Sequence, residues 1–178
     1  MDKKVILIVG PSGVGKDTLI RHAKEAFKDN GDFNFVKRYI TREPDNNERN
    51  FYLKKSAFDV LDENNHFVSK WHAHGNSYAI AKECIASKVN IISISRSHIK
   101  DFEKEFDDVT TIHIIIPEAI LLDRLRLRGR ESEAQIMERI KRACEKLEGK
   151  NIIEFDNNQK IEKSSKKFVK LLEKIANA

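Results

Sequence analysis

Cysteine is scarce in this chain of 178 residues: there are two, Cys84 and Cys144, far apart. A disulfide framework needs more of them at closer spacing, so a reducing, cytoplasmic setting is expected. Long apolar runs are also missing. None approaches the roughly 20 residues that cross a bilayer, so no membrane association is expected. The opening Met-Asp-Lys-Lys leads into an apolar run too short for the core of a secretory signal, and no small-residue cleavage site follows. With three prolines and seven glycines the chain has no linker, repeat or low-complexity tract, and one domain over residues 1–178 is expected. Aromatic residues are few, at 8%, and are not interleaved with basic ones as stacking platforms for nucleic acid require. The net charge of +5 therefore points to small polyanions as partners rather than to nucleic acid. Part of that charge, between Lys160 and Lys174, has helical spacing and reads as a solvated face.

Apolar runs and helical periodicities alternate along the chain. Val5–Val9 is a continuous apolar run ending at a glycine, as in a buried parallel strand. Leu19, Ile20, Ala23, Ala26 and Phe27 recur at helical spacing, closing near Asn30-Gly31. Further strands are expected at Phe33–Ile40, Val89–Ile94, Val109–Ile116 and Ile152–Phe155. Helices are expected from Ser56 as cap to Leu61, at Glu83–Ser87, Ser97–Phe106, Pro117–Arg128, Ser132–Leu147 and Glu162–Ala176. Arg42–Asn50, which contains Pro44, reads as a loop, and Phe67–Tyr78 fits neither period cleanly. The alternation predicts an α/β fold of three layers, a parallel sheet flanked by helices, with ligands beyond the carboxyl ends of the strands. Residues 37–81 break the rhythm and are expected to form a small substrate-binding subdomain.

Between the first strand and the first helix lies Gly10-Pro11-Ser12-Gly13-Val14-Gly15-Lys16-Asp17-Thr18. This is the G-x-x-x-x-G-K phosphate loop in its required strand–loop–helix setting. Its glycines let successive N–H groups turn toward phosphate oxygens, and the helix N-terminus adds partial positive charge. Lys16 can reach the β- and γ-phosphates of ATP and follow the charge as it moves. The position after the lysine, usually a hydroxyl that meets Mg²⁺, is Asp17, with Thr18 next. Either could offer a hard oxygen to magnesium.

A second cationic group follows. Arg124 and Arg128 stand four residues apart on one helix, Gly129 breaks it, Arg130 follows, and Arg139 and Arg142 sit on the next helix. Planar cations on a segment able to close are what a transferring phosphoryl group needs, so residues of about 126–138 read as an arginine-rich lid.

Gly10-Pro-Ser-Gly-Val-Gly-Lys16, Thr41-Arg42, Gly75-Asn-Ser-Tyr78 and the Arg-Gly lid recur in the order in which they stand in guanylate kinases, and the chain resembles that fold over most of its length. The resemblance implies that Arg42, with Arg38, grips the acceptor's phosphate beside Tyr78, and that the lid arginines act on the transferred group. The guanine-reading acids have no counterpart. Ser69 aligns with the family's glutamate, and Ser93-Ile-Ser95 stands where an Asp-x-Asp pair is expected. A serine hydroxyl does not replace a charged, bidentate acceptor for the guanine edge.

Gly15-Lys16-Asp17, Arg38-Tyr-Ile-Thr-Arg42, Trp71-His-Ala-His-Gly75 and Ser95-Arg96 instead resemble the ribose 1,5-bisphosphate phosphokinases, a sister group. That resemblance implies transfer of a phosphoryl group from ATP to the 1-phosphate of ribose 1,5-bisphosphate, giving 5-phosphoribosyl 1-diphosphate and ADP. Lys16, Arg128 and Arg139 would hold the γ-phosphoryl; Arg42, Arg38, Arg96 and His72 would hold the acceptor. His72 and His74 share a face if extended, but no third ligand accompanies them, and Trp71 reads as packing. Guanylate or another nucleoside monophosphate kinase is the alternative, and an inactive binding module of the same fold is a third.

Overall fold

The structure, a computed structural model, describes residues 3–43, 50–73, 75–129, 131–143 and 146–178. In chain order the strands are β1 (Lys4–Val9), β2 (Phe33–Phe35), β3 (Tyr39–Ile40), β4 (Phe51–Tyr52), β5 (Phe67–Ala73), β6 (Asn76–Ala81), β7 (Val89–Ser93), β8 (Val109–Ile115) and β9 (Ile152–Asp156). The helices are α1 (Lys16–Ala26), α2 (Lys55–Glu63), α3 (Ile99–Glu105), α4 (Glu118–Arg128), α5 (Glu133–Ala143) and α6 (Ile161–Ala176). None of the described helices is long and apolar enough to cross a membrane.

Five strands form a parallel sheet in the order β2-β7-β1-β8-β9. Its centre, β1, is apolar throughout because both faces are covered. Ile6 and Ile8 join Leu19 and Ala23 of α1 and Phe168 and Leu172 of α6 on one face. Val5, Leu7 and Val9 alternate to the other face and meet Ile99 and Phe102 of α3. All five β1 side chains named here are fully buried. The α/β architecture with helices on both faces agrees with the sequence reading. Leu121 and Leu125 of α4 pack on Ile136 and Ile140 of α5 in a separate cluster beside the sheet.

A second sheet, in the order β4-β3-β6-β5, lies within residues 39–81. The apolar stretch Phe33–Ile40, read as one strand, is two. Phe33–Phe35 pairs with β7 in the parallel sheet, whereas Tyr39 and Ile40 pair with Ala79 and Tyr78 of β6. Composition is continuous across the break, but the hydrogen-bonding partner changes, and only tertiary structure supplies that partner. The ambiguous stretch from Phe67 is the β5–β6 hairpin, turned at Gly75 with φ +75°.

The remaining differences are at element ends. Glu83–Ser87 is not an α-helix; a single 3₁₀ turn spans Lys82–Cys84. Lys54, not Ser56, caps α2, and Pro117 is the cap of α4 rather than its first residue. Ser132 and Gln135 form the expected reciprocal cap, with the Ser132 N–H donating to Gln135 Oε1 at 2.9 Å. The helix it opens ends at Ala143 and does not reach Leu147, which packs instead against the α3 cluster. Pro44, His74, Arg130 and Cys144 lie outside the described residues.

Candidate active site

The phosphate loop leaves the carboxyl end of β1, between Ser93 of β7 and His113 of β8 in register. Two of its glycines have no room for a side chain. A β-carbon on Gly10 would lie 2.6 Å from the Ile114 carbonyl oxygen, and one on Gly15 would lie 2.5 Å from Asn157 Nδ2. Gly15, with φ +98°, also turns the chain into α1, so Lys16 is the helix's first residue.

Lys16 Nζ donates to the carbonyls of Gly10 at 2.5 Å and Pro11 at 3.0 Å. Burial pushes its pKa down to about 8; neighbouring Asp17 opposes that shift, while the positive charges of Arg38 and Arg128 add to it. Arg38, just before β3, and Arg128, at the end of α4, thus add positive charge to that of Lys16. Such a concentration of positive charge favours a polyanion there.

The loop is held from two sides. Arg124 Nη1 reaches the carbonyls of Gly13 and Val14 at 3.5 and 3.4 Å. The buried Asn157, just beyond β9, donates through Nδ2 to the Val14 carbonyl at 2.8 Å. Arg124 thus braces the loop, and Arg128, one turn on, is the α4 arginine that acts on Lys16. Sequence reasoning overlooked Asn157; a polar residue closing an apolar strand was its only signal.

Gly129, in the left-handed conformation, ends α4. Arg126 pairs with Glu133 across this turn, Arg139 pairs with Glu131, and Arg142 Nε lies 3.2 Å from Glu138. A cleft of about 690 Å³ separates α5 and Glu131 from the phosphate loop. Gly10, Pro11, Ser12, Ser95 and Arg96 line it on one side, and Glu131, Gln135, Glu138, Arg139 and Arg142 on the other. Behind Pro11 a smaller cavity of about 160 Å³ is lined by His113 and Glu118. Burial lowers the His113 pKa; Glu154 works against this and Arg96 and Lys16 reinforce it.

In the second sheet, strand alternation separates two faces. Ser69, Trp71, Tyr78, Ile80 and Ile40 share one face, since Trp71 pairs with Tyr78 and Tyr78 with Ile40. Arg38 belongs with them, its guanidinium 5.8 Å from the Tyr78 ring centre. Ile80 and Trp71 meet the α3 cluster, which turns this face toward the core. Lys70 and His72 point the other way. His72 is exposed and its Nδ1 lies 2.9 Å from Ser77 Oγ. The structure thus brings Arg38 and Tyr78 to Lys16's side and sets His72 on the opposite face. The Ser77 N–H donates to Thr41 Oγ1 at 2.9 Å, which fixes the residue before Arg42 on β6.

Ser69 is buried, and its hydroxyl donates to Asp101 Oδ2 at 2.6 Å. The same oxygen lies 2.9 Å from His98 Nδ1, and the His98 ring centre is 5.5 Å from that of Trp71. Neither His98 nor Asp101 entered the sequence reading, although their i, i+3 spacing allows such a pair.

For magnesium, Asp17 is exposed in the first turn of α1 and near enough to Lys16 to raise its proton affinity. One carboxylate, phosphate oxygens and water form a set that Mg²⁺ accepts. Among the described residues no cluster of three His, Cys, Asp or Glu makes a separate metal site.

The guanylate kinase family model matches residues 2–175. The chain belongs to the guanylate kinase family. Its relatives include the ribose 1,5-bisphosphate phosphokinase PhnN of Bradyrhizobium diazoefficiens, 34% identical over 146 residues, 80% of this chain and 74% of that one. The protein of the same name from Agrobacterium fabrum is 33% identical over 178 residues, 97% of each chain. Among solved structures, guanylate kinase from Anaplasma phagocytophilum is similar with a TM-score of 0.61 at 17% identity, over 97% of this chain and 86% of that one. A gluconokinase from Sinorhizobium meliloti follows at 0.52 and 16%, over 98% and 94%. These structural likenesses establish the P-loop kinase fold.

Proposed function

We propose that the protein transfers the γ-phosphoryl group of ATP to the 1-phosphate of ribose 1,5-bisphosphate, producing 5-phosphoribosyl 1-diphosphate and ADP. The observation that carries the reading is the cleft that Gly10, Pro11 and Ser12 of the phosphate loop line together with Arg96, Arg139 and Arg142. Arg128 of α4 and Arg38 before β3 add positive charge at Lys16, so a donor and an acceptor phosphate would meet among cations. The sugar bisphosphate relatives support the acceptor. So does the acceptor face: the serine at position 69 is buried and bonded to Asp101, and Asp101 in turn is shared with His98, so the carboxylate that reaches this face is already paired.

In this mechanism the loop N–H groups and Lys16 hold the β- and γ-phosphates, and Arg128 and Arg139 hold the moving phosphoryl group. Arg38, Arg42 and Arg96 hold the acceptor. The nucleophile is a phosphate oxygen, ionised at neutral pH, so transfer needs no general base. Magnesium bound with the ATP would be held by Asp17 or Thr18 and would neutralise charge on the β- and γ-phosphates. Arg139 is exchanged from Glu131 to the phosphoryl group, one anion for another.

A nucleoside monophosphate is the second reading, favoured by the single carboxylate that Asp101 brings to the acceptor face. Steady-state ADP release from ATP-Mg with ribose 1,5-bisphosphate, GMP and the other nucleoside monophosphates separates the two. Turnover with the sugar bisphosphate at least about 100-fold more efficient than with any nucleotide is expected. The reverse preference would leave a kinase and remove this acceptor.

A further inference from the structure

The histidine expected to touch the acceptor, His72, points away from the acceptor face. Another histidine occupies that face. His98 stands in the 3₁₀ turn Arg96–His98, directly after the cleft residues Ser95 and Arg96, and packs beside Trp71. Trp71 lies parallel to Tyr78, with ring centres 5.5 Å apart, and Tyr78 carries Arg38. A continuous row of contacts therefore runs from Arg38 through Tyr78 and Trp71 to His98.

We propose that His98 binds a ring hydroxyl of the acceptor sugar through Nε2, and that Asp101 is the positioning residue that aims it. The inference rests on the sugar bisphosphate reading above. Asp101 Oδ2 lies 2.9 Å from His98 Nδ1 and accepts the Ser69 hydroxyl at 2.6 Å. That carboxylate fixes the imidazole with a proton on Nδ1 and leaves Nε2 as the nitrogen committed elsewhere. In the neutral ring Nε2 is an acceptor, suited to a hydroxyl donor. His98 and Asp101 are both only partly buried, with side-chain exposures of 22% and 35%, so the pair sits at a surface a ligand can reach. A histidine–carboxylate pair that offers an acceptor to a hydroxyl, in a row that ends at the cation of Arg38, is a chemistry that suits a phosphorylated pentose. A nucleobase presents amide edges and asks instead for acids of its own. Ser69 thus acquires a role: it is the third member that holds Asp101 in place.

The test uses the full-length protein and three variants. His98→Asn keeps a nitrogen near the Nδ1 position for Asp101 but has nothing at Nε2. His98→Gln places its amide nearer the Nε2 position. Asp101→Asn keeps shape and removes the carboxylate. Wild-type turnover of ribose 1,5-bisphosphate is measured first, and its absence removes the acceptor reading together with this inference. Given turnover, His98→Asn is expected to raise KM for the sugar bisphosphate about 10- to 100-fold, with KM for ATP within twofold and the melting temperature kept. His98→Gln should recover part of that loss, and Asp101→Asn should fall between. A purely structural histidine predicts the opposite order, with Asn the milder change. That order, equal rises in both Michaelis constants, or a His98→Asn enzyme indistinguishable from wild type each overturns the proposal.

Discussion

Lys16 is a partly buried cation under the influence of other cations, and its chemistry follows from that. Burial, with a further push from the charges of Arg38 and Arg128, lowers its pKa to about 8, against 10.5 in an unfolded chain. Between those values the unfolded chain holds the proton that the folded one has lost. This group therefore makes the folded protein more stable as pH rises from about 8 toward 10.5, and its burial penalty is fully present below pH 8. Replacement by methionine removes the penalty. The stability advantage of Lys16→Met over wild type, read from urea midpoints, is expected to be largest at pH 7 and to shrink by pH 10. A constant advantage would contradict the assignment. Phosphate anions push the same pKa back up, so ATP binding at pH 8.5 should take up a proton. Calorimetry in buffers of differing ionisation enthalpy measures it, and Lys16→Met should abolish it. Lys16→Ala should lower turnover by about 10²- to 10³-fold or more while the fold persists.

The elements around this lysine differ in how far the sequence disclosed them. The phosphate loop was legible because its glycines and lysine follow a fixed geometry, and the apolar run before it could only be a buried strand. The braces behind the loop were not legible, because Asn157 stands 143 residues from the carbonyl it meets. Two substitutions probe that brace. Gly15→Ala sets a β-carbon against Asn157 at a φ that alanine resists, and should cost about 1–2 kcal/mol from the backbone alone, with weaker ATP binding. Asn157→Ala leaves the Val14 carbonyl without that donor and should cost about 1–3 kcal/mol, with KM for ATP raised more than KM for the acceptor. In the lid, the cluster of arginines was legible, but its division of labour was not. Arg124 braces, Arg126 ties the Gly129 turn to Glu133, and Arg139 pairs with Glu131. Arg139→Lys keeps the charge and loses the planar fork, so a fall in kcat of about 10- to 100-fold with little change in KM for ATP is expected.

At the scale of the whole molecule, the site exists only where separate elements meet. The loop comes from the centre of the parallel sheet, Arg128 from the helix after β8, and Arg38 from the turn where the chain leaves one sheet for the other. Periodicity gave the α/β alternation, since both-faced burial writes a distinctive pattern into β1 and β8. It did not reveal the change of sheet between Phe35 and Tyr39, where local composition is uniform. Nor did it reveal which face of the hairpin looks inward, so the sequence named His72, and His98 did not enter the reading. Face assignment depends on the bulge between Phe67 and Ser69 and on the packing of Trp71 against α3, neither of which is a local property.

The central claim is the identity of the acceptor atom. Phosphorus NMR of a reaction containing the protein, ATP-Mg and ribose 1,5-bisphosphate tests it directly. The account predicts loss of the sugar's 1-phosphate singlet and growth of two coupled diphosphate doublets of a new sugar diphosphate, in step with ADP. An unchanged sugar signal, while the same protein converts GMP to GDP, would contradict it.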